Sequence, residues 1–248
     1  MPIPFLAAES AGLLANLLNH SVVLRIFARY WRYFLEGARG TVIIALITVL
    51  LGSILGCGVA LLRLSNVKPL VWFSKAYISV IRGTPLLVQL YIVYLNVERV
   101  ITFPNATVLW LDFRRTMPCI IALVINSAAY VAEIVRAGIQ AVDIGQTEAA
   151  RSVGMTGRQA MGLIILPQAV KNILPAIGNE FVTMIKETSI IQYLGVPDLM
   201  FKQGIVTGFT YKPLPSYYIA AAIYYILNLV MSHGVNTFER RLQASDRN

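Results

Sequence analysis

Glu180 and Glu187 stand seven positions apart in a mostly apolar stretch, with Thr183 between them, Asn179 beside the first and Ser189 just past the second. On an α-helix seven residues are two turns, so the carboxylates share a face about 10 Å apart along the axis. Such a pair suits a cation, because ionisable groups in a membrane helix face a cavity or a partner. Lys186 lies among them and reads as pairing with a carboxylate or lining a water-filled path. Glu133 and Arg136 are three apart, close enough to pair on one helical face, and read as a gating or structural pair.

The elements that must hold these groups are apolar helices. Of 248 residues 57% are hydrophobic and only 13% charged, and the mean hydropathy is +0.66, well beyond the balance of a soluble domain. The chain reads as an all-α integral membrane protein with five spans: 41–62, 85–97 extended backwards through 76–81, 117–139, 173–195 and 217–235. The runs are continuous and not alternating, which argues against a β-barrel. Gly52 and Gly56 make a small-residue face in the first span that could admit another helix. Thr84-Pro85 reads as a helix start, with threonine as cap and proline at the first helical position.

Between the third and fourth spans lies the most patterned segment, GQTEAARSVGMTGRQAMGLIILPQAV at 145–170. It asks for two short helices and a sharp bend. Asp143 or Thr147 can cap the first helix, Glu148 sits near its positive end, and Gly154 tolerates φ > 0 where it stops. Thr156 with Gln159 fits a capping box, and Pro167 is expected to end the second helix at about Leu166. Ala149 and Ala150 let another surface approach closely, although alanine is also simply a good helix former. From the residues alone, docking and plain connection both stay open.

Residues 1–36 lack a basic start and a convincing cleavage site, and read as a leader: an interfacial helix or a loosely ordered segment. Arg25, Arg29 and Arg32 recur at helical spacing, which suits a helix on the membrane surface. Tyr217, Tyr218, Tyr224, Tyr225 and Trp110 read as interface anchors or packing. Cys57 and Cys119 fall in or beside apolar spans and behave there as small hydrophobes. The net charge of +9 fits topology and anionic lipid better than nucleic acid, for which no motif is present. Lys and Arg number eleven on the side of the patterned loop and nine on the other, a narrow margin for a cytoplasmic loop. No GxxxxGK[ST] loop is present to cradle nucleotide phosphates.

Glu148, Ala149, Ala150, Gly154, Ile164, Leu166 and Pro167 reproduce without a gap the EAA-loop spacing of binding-protein-dependent ABC importer permeases. The resemblance runs from about 37 to 242 and is closest to the polar amino acid group, in RGTPLLVQLYIVY (82–94), NSAAYVAEIVRAGI (126–139), KETSII (186–191) and FERRL (238–242). It implies a type I importer fold over 37–242, a cytoplasmic coupling loop at 140–170 and a short tail at 243–248. The N-terminus would lie outside and the C-terminus in the cytoplasm of a multi-pass inner-membrane protein.

The resemblance also implies partners. These are an ABC ATPase dimer that binds ATP and Mg and takes the loop into a groove, a second permease subunit, identical or homologous, and a soluble substrate-binding protein. This chain would bind no cofactor of its own. An acid at Glu180 resembles members that handle basic amino acids, whereas an amide there resembles a glutamine carrier; another polar amino acid or an opine also fits. Glu180 could instead pair with a charge on the neighbouring permease chain. An ion-coupled secondary transporter using Glu180, Glu187 and Lys186 is the rival of another class, weakened by the lack of a visible internal repeat. A membrane enzyme finds no His cluster, metal spacing or nucleophile motif.

Overall fold

Inside a bilayer the backbone must bond to itself, and the computed structural model does this almost wholly with helices. It describes residues 20–109 and 111–244. The N-terminal part of the expected leader, the last four tail residues and Trp110 lie outside them. The remainder of the leader belongs to α1, His20–Arg63, which runs unbroken into the first span. At 44 residues this helix is about 66 Å long, roughly twice the thickness of a hydrocarbon core.

The other elements are α2 (Lys68–Gly83), α3 (Leu86–Val100), a two-stranded hairpin, α4 (Phe113–Gln140), α5 (Ile144–Ser152), α6 (Gly157–Ala160), a π-turn (Met161–Ile165) and α7 (Leu166–Glu187). A 3-10 turn (Thr188–Leu194), α8 (Leu199–Thr210) and α9 (Pro213–Ala244) complete the order. The hairpin pairs β1 (Thr107–Val108) with β2 (Leu111–Asp112), Val108 opposite Leu111, and is the one departure from an all-helical chain among the described residues.

Four helical stretches are long and apolar enough to cross a membrane, and the fifth crossing is α2 with α3, bent by 112°. The second span is therefore a broken helix and not the single run the sequence suggested. Thr84 and Pro85 do not start a capped helix. Pro85 sits at the N-cap of α3 without a side-chain cap, and the Thr84 hydroxyl instead donates to the Val80 carbonyl of α2 at 2.9 Å.

Pro167 does not end a helix either. The preceding turn widens to a π-turn in which the Leu166 N–H reaches the Met161 carbonyl, which makes room for the ring and lets α6 run on into α7.

α4 is the hub. Its Leu123 and Cys119 pack with Ile44 and Val49 of α1, Leu90 of α3, and Met184 and Ile185 of α7. Nearer the patterned loop, Ala129, Ala132 and Val135 meet Val59, Ile78, Ala169 and Ile173. A third cluster joins Phe34 and Ala38 of α1 to Leu199 and Val206 of α8 and Ile219 of α9. There Asp198 caps α8 through the Phe201 N–H at 2.8 Å and accepts from the Tyr224 hydroxyl at 3.3 Å. Burial pushes its carboxyl up to about 7.

The glycine face of α1 is used as expected. A Cβ on Gly56 would lie 2.7 Å from Val131 Cβ and 2.8 Å from the Ala128 carbonyl oxygen, whereas one on Gly58 would meet nothing within 4 Å. Gly56→Ala is therefore expected to destabilise the chain by about 1–3 kcal/mol. Gly58→Ala should leave it unchanged or slightly firmer, as thermal unfolding in detergent would show.

Candidate functional site

The patterned loop folds from its local chemistry. Asp143, and not Thr147, caps α5 by accepting the Gly145 N–H at 2.6 Å. Gly154 has φ +88°, and it ends the helix in a Schellman motif: Met155 N–H bonds to the Ala150 carbonyl and Gly154 N–H to that of Arg151. The Thr156–Gln159 capping box forms in both directions. Ala150 turns inward and is buried, while Glu148, Ala149 and Gly154 are exposed. Ile164 is half-buried, Leu166 and Pro167 are exposed, and Val153 at the bend is 79% exposed.

Above the loop, Glu133 and Arg136 pair at 2.7 Å as their spacing suggested. Arg63, at the end of α1, bonds to the other carboxylate oxygen of Glu133, and Arg136 reaches on to Gln140. Arg82 of α2 lies 5.3 Å over the Tyr130 ring. Glu133 thus ties α1 to α4 beside the start of the loop, and Arg63 is the member that sequence spacing could not supply.

The acids of α7 are placed differently from each other. Glu180 is buried and accepts from Ser127 Oγ of α4 at 3.2 Å. Glu187, two turns on, is half-buried. Asn179, Thr183 and Lys186, with Asn172 below them, stand on the exposed side of α7, so the isolated chain presents a polar stripe along a membrane helix. Ser189 falls on the 3-10 turn and with Lys186 lines a separate cavity of about 310 Å³, walled by Met200, Tyr217 and Tyr224. The expected path residues therefore divide between a buried carboxylate, an exposed stripe and this cavity.

Next to Ser127, Asn126 Nδ2 donates to Gln89 Oε1 at 2.9 Å. Gln89 Nε2 in turn bonds to the Ile81 carbonyl at 2.6 Å, the Thr84 carbonyl at 2.9 Å and the Thr84 hydroxyl at 2.8 Å. The carbonyls freed where α2 breaks are thereby closed by one amide. Two polar groups thus leave α4 from adjacent positions, Asn126 towards Gln89 and the broken helix, and Ser127 towards Glu180. Sequence reasoning did not single out Gln89, Asn126 or Ser127; the signal was present as isolated amides and a hydroxyl within apolar runs.

A five-crossing bundle with a broken second span and a capped helix-turn-helix between the third and fourth defines an ABC importer permease of type I. The chain belongs to the family of binding-protein-dependent transport system inner membrane components, whose model matches residues 48–244.

It is 39% identical to the arginine transport system permease protein ArtQ of Bacillus subtilis over 86% of this chain and 94% of that one. To the probable glutamine ABC transporter permease protein GlnM of the same organism it is 36% identical, over 92% and 100%. To the nopaline transport system permease protein NocM of Agrobacterium fabrum it is 37% identical, over 77% and 80%. A solved amino acid ABC transporter with histidines superposes with a TM-score of 0.80 at 44% identity, covering 87% of this chain and 96% of that one. The inward-facing MetNI methionine ABC transporter, at 16% identity, TM-score 0.70 and coverage of 86% and 97%, shares the fold. As a permease subunit the chain is a pore component, and ATP hydrolysis belongs to a separate subunit.

Gln89→Leu would leave the Ile81 and Thr84 carbonyls and the Asn126 amide without their bonds. A loss of about 2–3 kcal/mol of stability is expected, read as a lowered thermal midpoint of the purified chain.

Proposed function

We propose that this chain is the transmembrane subunit of an ATP-driven importer for polar amino acids, cationic ones such as arginine, lysine, histidine and ornithine foremost. Glu180 carries the reading: a buried carboxylate held by Ser127 and edged by the exposed stripe of α7 can meet an ammonium or guanidinium where water is scarce. Thr183, Asn179, Glu187 and Ser189 would line the rest of the path, with Lys186 available to the substrate carboxylate. Because the stripe is open in the single chain, a second permease subunit, identical or related, would complete the path. Relatives named for arginine and nopaline support a basic substrate, and those named for glutamine support a neutral one.

Under this reading the loop lies in the cytoplasm with the C-terminus, and the N-terminus lies outside. Glu148, Ala149, Ala150 and Gly154 would sit in a groove of an ATPase dimer, with Ile164, Leu166 and Pro167 fixing the way into the fourth span. ATP and Mg would be held by that partner and not by this chain. A soluble binding protein would deliver the substrate, and the Glu133–Arg136 pair would steady or gate the inner end.

The test is ATP-driven uptake in vesicles holding the permease, ATPase and binding protein. Glu180→Gln should cut arginine uptake about 10- to 100-fold, the worth of one charged hydrogen bond, with assembly unchanged; undiminished uptake would sink the basic-substrate role. Gly154→Val should release the ATPase during purification. Uptake driven by an ion gradient without any ATPase would overturn the whole reading.

A further inference from the structure

Where α1 leaves the bilayer on the side remote from the patterned loop, a cavity of about 340 Å³ lies between that helix, the β-hairpin and α8. Glu36 and Arg39 line it from α1 and Lys202 from α8, while Leu109, Leu111 and Pro197 give it apolar walls. Lys202 Nζ donates to Glu36 Oε2 at 2.7 Å and lies 5.6 Å from the Tyr33 ring centroid, so the ammonium is fixed in place. The Glu36 side chain is 62% exposed, and among the described residues its bond to Lys202 leaves Oε1 open to a further donor.

The cavity stands at the height of lipid headgroups. Gly52 lies at the middle of the first span, and Arg39 and Glu36 precede it by 13 and 16 positions. That is about 20 and 24 Å along the axis, against about 15 Å for half a hydrocarbon core. Further along α1, towards the bilayer centre and beyond it, Leu46, Leu50, Ile54 and Leu61 are exposed. At about 3.6 residues per turn these four fall, with Glu36 and Arg39, within about 80° of the helix circumference. Gly52 points the opposite way, against Ser127 of α4. The cavity and the apolar strip therefore share one flank of α1, the flank turned away from Ser127 and Glu180.

We propose that this cavity binds the headgroup of phosphatidylethanolamine, with the acyl chains running down the strip. The phosphate oxygens accept from Arg39 and Lys202, and the ethanolamine ammonium donates to Glu36 Oε1. Both signs of charge in one cavity suit a zwitterion. Of the zwitterionic headgroups, choline has no N–H to offer a carboxylate, and phosphatidylglycerol brings no cation for Glu36 at all. A transported amino acid carries the same two charges, but it would leave the strip uncovered, and the cavity lies on the flank away from the polar groups of α4 and α7.

The experiment uses the purified full chain in detergent, with phosphatidylethanolamine, phosphatidylcholine, phosphatidylglycerol, soluble phosphoethanolamine or arginine added in turn. Native mass spectrometry reads retained lipid, and thermal unfolding reads stabilisation. The wild type should retain phosphatidylethanolamine in preference to the other two lipids. Glu36→Gln should cut its preference over phosphatidylcholine about tenfold, the worth of one charged hydrogen bond. Arg39→Gln, which leaves the Glu36–Lys202 pair in place, should weaken retention of every phospholipid about fivefold and keep the preference; it carries the test should Glu36→Gln fail to fold. A wild type without preference, a preference unmoved in Glu36→Gln, or full retention in Arg39→Gln would overturn the proposal. So would stabilisation by phosphoethanolamine equal to that by the lipid, or Glu36-dependent stabilisation by arginine, either of which would assign the cavity to a soluble zwitterion.

Discussion

Gln89 closes the carbonyls of a helix broken inside the bilayer, where no water can do so. Everything the bundle does with polar groups follows from that constraint. The second span can break only because one side chain from the next helix bonds backward to the first. Gln89 can be held in that pose only because Asn126 donates to its other end. The same demand recurs at each interruption. The π-turn before Pro167 is closed by its own widened bond, with Gln168 Nε2 on the Ile164 carbonyl at 2.9 Å, and the start of α8 is closed by a buried aspartate.

Close packing decides which polar groups can meet. Without a Cβ at Gly52, α4 approaches α1 until Ser127 Cβ lies 2.9 Å from where that atom would be. Ser127 is the donor to Glu180 on α7. A small residue on one helix therefore positions the hydroxyl of a second to hold a carboxylate on a third. Gly138 and Gly178 admit Ile173 and Val235 in the same way. With little hydrophobic force between helices in lipid, this close contact is what holds them at fixed distances.

Much of the local structure was legible in the residues. Thr156 with Gln159, Gly154 after Val153, the glycine face of α1 and the Glu133–Arg136 pair each follow from spacing within a single element, and each forms. The second span and Pro167 were misread for one shared reason. A proline's effect on a helix depends on whether a neighbouring turn can widen or a distant side chain can bond its freed groups. Those partners are set by tertiary contact and not by local sequence. Arg63 joining Glu133 across 70 positions, and Gln89 meeting Asn126, were invisible for the same reason. Glu180 was legible as a costly acid in a span, but the stripe beside it and its hydroxyl partner needed the packed bundle.

Because α6, the π-turn and α7 run on without a break, the segment from Gly157 to Glu180 is one rod, about 35 Å from end to end. Such a rod cannot shorten, so a push along its axis at the loop would shift the whole helix by the same amount. A tilt behaves otherwise: pivoting the rod by about 10° at one end carries the other about 6 Å sideways, more than one helical rise of a full turn. The helical continuity that Pro167 failed to interrupt makes the position of Glu180 far more sensitive to the angle of the loop than to its height.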